Sequence, residues 1–358
     1  MPTPIADLTY VLPIRRTAVR DDDELIAYLA ELAKLLPVIV ADGSPDAVFA
    51  HHAAVWPRSL LHLPVDADRR TDLNGKVAGV VTALRRVRTA KAVVADDDVR
   101  YDPPALRRLA ARLDAAAVVR PQNVFAPAPW HAVLDTGRSL IARATGGDWP
   151  GTLGLRLDVY RRVGSYDGDV LFENLELVRT LRAAGGREDV AYDLFVVRRP
   201  PAARHYLAQR VRQAYDELAR PRRFALQLAL APALGLILAS PRLRIPALAA
   251  GVLGTVALAE AGRRRGGGRR VFGVAGSLCA PFWVLERAAT SWAALTLRVV
   301  RGGVRYSHGT LRRAANSERV LRERYACDIA GPEQAGFRPN RRGNDVISMT
   351  PATVLPSA

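Results

Sequence analysis

An α/β domain with a mostly parallel sheet, followed by an α-helical membrane region, is the fold class this sequence predicts. Three observations carry it. Short apolar runs alternate with helical patterns through about the first 220 residues, and three of those runs end in an aspartate. Two stretches beyond residue 223 carry no charge at all. Such alternation makes a parallel sheet covered on both faces, and a charge-free run of that length approaches a membrane span.

Residues 8–14 read as a first strand, closed by Arg15 and Arg16. Residues 21–36 form an amphipathic helix whose first acids, Asp21 to Glu24, complement the macrodipole and need no other role. A second buried strand over 37–41 ends in Asp42-Gly43-Ser44, and a weaker third over 61–65 ends in Asp66. Asn74-Gly75-Lys76 opens a helix to about residue 90. The apolar run 92–95 is too short for a helix and suits a buried strand. Asp102 caps a helix with Pro103 in its first position, and 115–119 is a further strand. After Trp149-Pro150-Gly151 the pattern loosens. A turn at 164–167 precedes a helix that begins near Phe172 and stops at Gly185-Gly186. An arginine-dense helix follows over 203–219.

The run 92–95 feeds into three consecutive carboxylates, Asp96, Asp97 and Asp98. In open α/β sheets ligands bind beyond the carboxyl ends of the strands. Acids crowded there repel one another, and all stay ionised most easily around a divalent cation that also holds substrate phosphates. The net charge of +17 and a pI near 10.8 call for an acidic partner such as anionic lipid or phosphorylated substrates. Nearly all of that charge is arginine, with Lys34, Lys76 and Lys91 the only lysines, which reflects coding bias as much as function. At 6% aromatic residues there is little material for stacking bases, so nucleic acid is not an expected partner. Cys279 and Cys327 lie far apart, excluding a disulfide framework and a cysteine zinc site. The six histidines show no ligand spacing.

The charge-free stretches 224–240 and 245–259 suit a helical hairpin in the membrane, linked at Pro241-Arg242. Residues 271–300 contain Glu286, Arg287, Trp283 and Trp292, which fits an interfacial segment better than a third span. The expected division is a catalytic domain over residues 1–222, hairpin plus interfacial helix over 223–300, and a basic, partly disordered tail over 301–358. Arginines flank both ends of the hairpin, so both flanks, the tail and the amino-terminal domain are expected on the cytoplasmic face. No signal peptide is visible ahead of the first strand.

The order of motifs across about residues 8–220 resembles the inverting family-two glycosyltransferases of the GT-A type, in a branch similar to ceramide glucosyltransferase and its bacterial relatives. The resemblance implies that Asp42 contacts the nucleotide base and that Asn74-Gly75-Lys76 lies beside the nucleotide phosphates. Asp96 and Asp98 match the outer acids of a D-x-D motif: Asp98 holds Mg²⁺ or Mn²⁺, and Asp96 contacts the ribose or the metal. Gln209-Arg210-Val211-Arg212 resembles the first four residues of Q-x-x-R-W, so Gln209 and Arg212 join the donor site. Phe172-Glu173-Asn174 resembles the acceptor-side segment that usually ends in Glu-Asp.

Two positions depart from the pattern. Asn174 stands where the family has the aspartate general base, and Gln213 replaces the tryptophan of the last motif. Glu173 is then the first choice as base, with Glu176 three residues on and on the same side of a helix. The expected function is a membrane-anchored glycosyltransferase taking a nucleotide-sugar donor and a lipid or lipid-linked acceptor, with anionic lipid head groups as a further partner. A polysaccharide or soluble acceptor is one alternative. A non-catalytic membrane protein that binds nucleotide sugars is another.

Overall fold

The computed structural model describes residues 3–306 and 309–329, and its centre is an eight-stranded sheet. The first half comprises β1 (Leu8–Ile14), α1 (Asp23–Ala33), β2 (Val38–Asp42), α2 (Asp46–Val55), β3 (Leu61–Pro64), α3 (Gly75–Leu84) and β4 (Lys91–Ala95). Its strands lie parallel in the order β3-β2-β1-β4. The second half comprises β5 (Val99–Arg100), α4 (Pro103–Arg112), β6 (Val118–Phe125), α5 (Trp130–Ala144), β7 (Thr152–Arg156), α6 (Leu157–Val163), α7 (Glu173–Ala183) and β8 (Glu188–Arg198). Here the sheet is mixed. β7 runs antiparallel to β4 and β6, β6 pairs parallel with β8, and the short β5 closes the edge against β8.

β1, β2 and β4 are almost wholly buried, as strands covered on both faces must be. One face packs on Leu25, Leu29 and Leu32 of α1 and Leu106 and Leu109 of α4. The other packs on Val77, Val80 and Val81 of α3 and Leu177, Val178 and Leu181 of α7. The chain leaves β1 for β2 on one side and reaches β4 on the other. That reversal opens a crevice at the carboxyl ends of β1 and β4.

The remaining elements are α8 (Ala203–Ala208), α9 (Arg210–Tyr215), α10 (Pro221–Ala239), α11 (Arg244–Arg264), α12 (Val274–Val300), β9 (Val304–Tyr306), β10 (Gly309–Leu311) and α13 (Glu318–Ile329). The arginine-dense segment expected as one helix is therefore broken at Gln209, and ends in a 3-10 turn over Asp216–Ala219. α3 stops at Leu84, where Arg85 and Arg86 turn onto Asp66 and Asp68. The acids at the start of α1 do more than meet a helix dipole. Asp22 pairs with Arg16, and Glu24 pairs with Arg100 and Arg199.

α10 and α11 are long and apolar enough to cross a membrane, by length and composition, and only 11% of each apolar window is buried. α12 lies across α5, α9, α10 and α11. Its inward face is built from Ala280, Trp283, Ala288, Ser291 and Ala294, while Leu278, Phe282, Leu285 and Val299 are exposed. Glu286 and Arg287 belong to the inward side. Glu286 pairs with Arg210 at 2.6 Å, and Arg287 is only 1% exposed. The end of α11 rests directly on α5: a Cβ at Gly262 would come within 1.9 Å of the Leu140 carbonyl oxygen.

Residues 301–329, expected within a partly disordered tail, are folded where described. β9 and β10 form a hairpin, and α13 packs on α7. The backbone N–H groups of Leu171 and Phe172 donate to the carbonyls of Arg313 and Ala314. Asn316 donates through its backbone N–H and its amide to Glu176, each at 2.7 Å. The expectation of disorder from residue 331 onward falls outside the described residues. Replacing Asn316 with Ala strands a buried carboxylate oxygen, so Asn316→Ala should lose about 1–3 kcal/mol of unfolding free energy. A urea titration of the full chain measures this, and an unchanged midpoint would mean that the carboxyl-terminal segment does not stabilise α7.

Candidate active site

The crevice at the ends of β1 and β4 is a cleft of about 810 Å³. Lys76, Asp96, Asp98, Glu173, Gln209 and Arg212 all line it. These six come from four separate stretches of the chain. Asn74 caps α3 by accepting from the Lys76 N–H, and its own amide donates to the Val170 carbonyl. That fixes the first turn of α3 against the segment leading into α7. β4 delivers Asp96, whose N–H donates to the Gly151 carbonyl at 2.7 Å. Gly151 has to be glycine here, because a Cβ would meet Asp96 Oδ2 at 2.5 Å.

Lys76 is the centre of the site. Its ammonium lies 2.5 Å from Asp96 Oδ1 and 2.7 Å from Glu173 Oε1. Burial disfavours the ammonium charge, but the two carboxylates outweigh it and hold Lys76 above its ordinary pKa. Glu173 shows the reverse. Burial pushes its carboxyl up, Lys76 pulls it down more strongly, and the net is a lowered pKa. Asp96 stays raised, because burial and the neighbouring Asp98 exceed the help from Lys76.

Each acid of the Asp96–Asp98 turn has a cation. Arg16 holds Asp97 at 2.6 Å, and Arg198 donates to Asp98 Oδ2 at 2.8 Å. Asp98 Oδ1 is buried with no hydrogen-bond partner among the described residues. Arg212 lies over the ring of Tyr306, 4.6 Å from its centroid, and Gln209 bonds the His205 ring. Tyr306 thus gives Arg212 an aromatic neighbour in spite of Gln213. It comes from β9, nearly a hundred residues away, and no local signal points to it. Arg198, at the end of β8, was equally invisible.

Two expected site residues stand outside the cleft. Asp42 does end β2, but its side chain is fully buried and already used. His52 and His62 contact its Oδ2 at 2.6 and 3.1 Å, and the Ser44 N–H donates to Oδ1. Burial raises the Asp42 carboxyl, yet these bonds hold it down at about 2. Asp42 lines a separate pocket with Gly43, Ser44 and Phe49 instead of the cleft. The ligand atoms of Asp42, His52 and His62 lie within 4.8 Å of one another, the spacing of a metal site, but the hydrogen bonds account for the cluster. Glu176 is withdrawn into the interior by Asn316, at 0% exposure. Asn174 uses its amide to tie the start of α7 to the Pro150 carbonyl at 3.1 Å.

No family model matches this chain, and no curated protein sequence does. Solved structures with a similar fold include a mannosyltransferase from Pyrobaculum calidifontis in complex with GDP-Man and Mn²⁺, at 19% identity and TM-score 0.48, covering 84% of this chain and 89% of that one. A mannosyl-3-phosphoglycerate synthase from Rubrobacter xylanophilus is 15% identical, with TM-score 0.39 over 55% of this chain and 68% of that one. A glucosyl-3-phosphoglycerate synthase from Mycobacterium tuberculosis with Mn²⁺, UDP and phosphoglyceric acid is 17% identical, with TM-score 0.38 over 55% and 72%. Similarity at this level transfers no residue role to this chain.

Asp216, which no motif singled out, also lines the cleft, and its Oδ1 is buried without a partner among the described residues. Burial pushes its pKa up to about 7, against the pull of Arg212. An acid whose folded pKa exceeds its unfolded value of about 3.9 favours folding below that value and loses the contribution as pH rises through about 7. The wild type should therefore lose about 1–3 kcal/mol relative to Asp216→Asn between pH 4.5 and pH 8. Denaturation of both proteins across that range tests it, and parallel curves would place the Asp216 pKa in the ordinary range.

Proposed function

We propose that this chain is a membrane-associated glycosyltransferase. It moves a sugar from a nucleotide-sugar donor to an acceptor hydroxyl on a lipid or lipid-linked molecule, by an inverting displacement. The observation that carries the reading is the convergence of Lys76, Asp96, Asp98, Glu173, Gln209 and Arg212 on one cleft at the switch point of the sheet. Fold class, motif order and this convergence agree.

Lys76, Arg198 and Arg212 supply positive charge for a diphosphate. Asp96 and Asp98 would hold a divalent cation, and the site fits one: the donors are hard carboxylate oxygens, and Asp98 Oδ1 is buried without a partner among the described residues. When bound, Mg²⁺ or Mn²⁺ neutralises charge developing on the leaving diphosphate. Glu173 takes the proton of the acceptor hydroxyl. The acceptor oxygen attacks the anomeric carbon on the face opposite the diphosphate, which departs with the electron pair of the broken C–O bond. At rest Glu173 is a weak base, because Lys76 neutralises it. An incoming diphosphate competes for the Lys76 ammonium, so donor binding itself frees Glu173. The exposed apolar faces of α10 and α11 support a membrane location, and the arginines at both ends of the hairpin support a cleft on the cytoplasmic side. The same Lys76–Glu173 clamp and the amide at Asn174 favour one alternative, a nucleotide-sugar-binding protein without turnover.

Asp98→Ala should abolish metal-dependent binding of nucleotide sugars in a thermal-shift panel, while Asp21→Ala and Asp23→Ala leave it nearly intact. Equal loss from all three would remove the metal site from the Asp96–Asp98 turn. Glu173→Gln should stop turnover and keep donor affinity within a few-fold. A Glu173→Gln protein with wild-type turnover would rule out Glu173 as the base. Wild-type protein that binds donor but never releases nucleoside diphosphate with any acceptor would favour the non-catalytic reading.

The topology has its own test. The hairpin has Arg220, Arg222 and Arg223 at the start of α10, and Arg263, Arg264, Arg265, Arg269 and Arg270 at or after the end of α11. By the positive-inside rule both ends are cytoplasmic. With Cys279 changed to Ser, an impermeant maleimide should leave Cys327 unlabelled in intact cells and label it once the membrane is opened. Labelling from outside would mean that the tail is external.

A further inference from the structure

A second pocket, of about 150 Å³, opens beside the cleft between α5, the 3-10 turn at Asp216–Ala219, the start of α10 and the middle of α12. Five of its residues, among them Trp149, Phe172 and Gln213, line both spaces, so pocket and cleft share a wall. Five arginines and four acids surround it. Most of these charges are spoken for. Arg138 is gripped by Asp135 and Asp148, Arg198 by Asp98, and Arg223 reaches Glu217 at 3.3 Å. Arg287 is the exception. It is 1% exposed, its closest carboxylate is Glu286 at 4.0 Å, and its Nε and Nη1 have no hydrogen-bond partner among the described residues. Arg220 donates one Nη to Glu217 at 2.8 Å but leaves its Nε buried and unused.

A buried guanidinium without a counter-charge is among the most unfavourable arrangements a fold can hold. Arg287 comes close to that state, and Arg220, although paired with Glu217, leaves its Nε buried and unused at the same small pocket, from a different element. Arg220 is also the residue at which α10 begins, and no side chain caps that helix start. A helix N-terminus and two guanidiniums together make a receptor for an oxyanion. A carboxylate offers two oxygens in one plane, whereas a phosphate presents acceptors in several directions and suits donors converging from separate elements. The position then says which phosphate. The pocket adjoins the cleft on the side of α10 and α12, and both helices expose apolar side chains.

We infer that this pocket binds the phosphate group of a phosphomonoester acceptor, holding it beside the donor cleft. The inference rests on the transferase reading for the word acceptor, but the anion site itself does not.

Calorimetric titration of the full-length protein with inorganic phosphate, at constant ionic strength, should show binding. That binding should weaken about tenfold or more in Arg287→Gln and in Arg220→Gln, and survive in Lys76→Gln, whose change lies in the donor cleft. The melting temperature of Arg287→Gln should stay at or above the wild-type value, because a buried charge without a close partner has been removed. A lowered melting temperature with unchanged phosphate affinity would overturn the site and leave a water-filled structural pocket, as would absence of phosphate binding. Release of nucleoside diphosphate from the best-bound nucleotide sugar should be accelerated by decyl phosphate and not by decanol. Equal response to the two overturns the acceptor assignment. Glycerol 3-phosphate acting as well as decyl phosphate supports the phosphate site and identifies its source as a soluble ester rather than a lipid. Since the phosphate titration needs no nucleotide sugar, it decides the pocket even where donor binding and the transferase reading fail.

Discussion

Everything in the cleft depends on the ammonium of Lys76 lying between Asp96 and Glu173. The first residue belongs to the start of α3, the second to the end of β4, and the third to the start of α7. Three charges withdrawn from water would each cost several kcal/mol if left alone. As a bridged trio they hold the two halves of the site together. The asymmetry of the pKa directions follows from the geometry: Glu173 gains a cation and is lowered, whereas Asp96 has the same cation but also Asp98 at its back. The cleft is therefore closed upon itself, with the Glu173 carboxylate neutralised by the Lys76 ammonium.

The surrounding arginines extend the same principle. Arg16 joins Asp22 to Asp97, so the acids at the start of α1 and those at the end of β4 share one cation. Arg198 brings β8 to Asp98, and Arg100 and Arg199 converge on Glu24. A chain with a net charge of +17 spends part of that excess fixing an acidic turn, and what remains near the cleft is concentrated toward α10 and α12. This is why the net charge was a poor guide to the partner: it sums arginines that already have local acids with the few that do not.

What the sequence disclosed, and what it hid, divides along the range of the interactions. Strands β1, β2 and β4 are continuous apolar runs, and the Asp102 cap is local, so both were legible. Helix α5 was missed because its buried side carries His131, Asp135, Ser139 and Arg143, which erase an apolar stripe. β8 was missed because its burial alternates irregularly around a register shift with β6. Within the cleft, the residues that lie in short motifs could be listed in advance. Arg198, Asp216 and Tyr306 could not, because each reaches the cleft only through the packing of distant elements. Glu173 and Glu176 look equivalent on a helix surface. Only the arrival of Asn316, 140 residues later, separates one as a cleft residue and the other as a buried tie.

The carboxyl-terminal segment is therefore part of the domain that it follows. Its hairpin supplies Tyr306 to Arg212, its loop supplies Asn316 to Glu176, and α13 covers α7. Between the sheet and this segment lie the two apolar helices and α12, so the chain leaves the α/β domain at Arg220 and packs back onto it from the end of α11 onward. Glu286 and Arg287 fit this path. Facing inward from α12, Glu286 meets Arg210 of α9 and Arg287 closes the arginine pocket, so both polar side chains are turned away from the helix face that exposes Phe282, Leu285 and Val299. The apolar surface and the polar pocket are thus opposite sides of one helix, which is how α12 buries two charged side chains while exposing an apolar stripe.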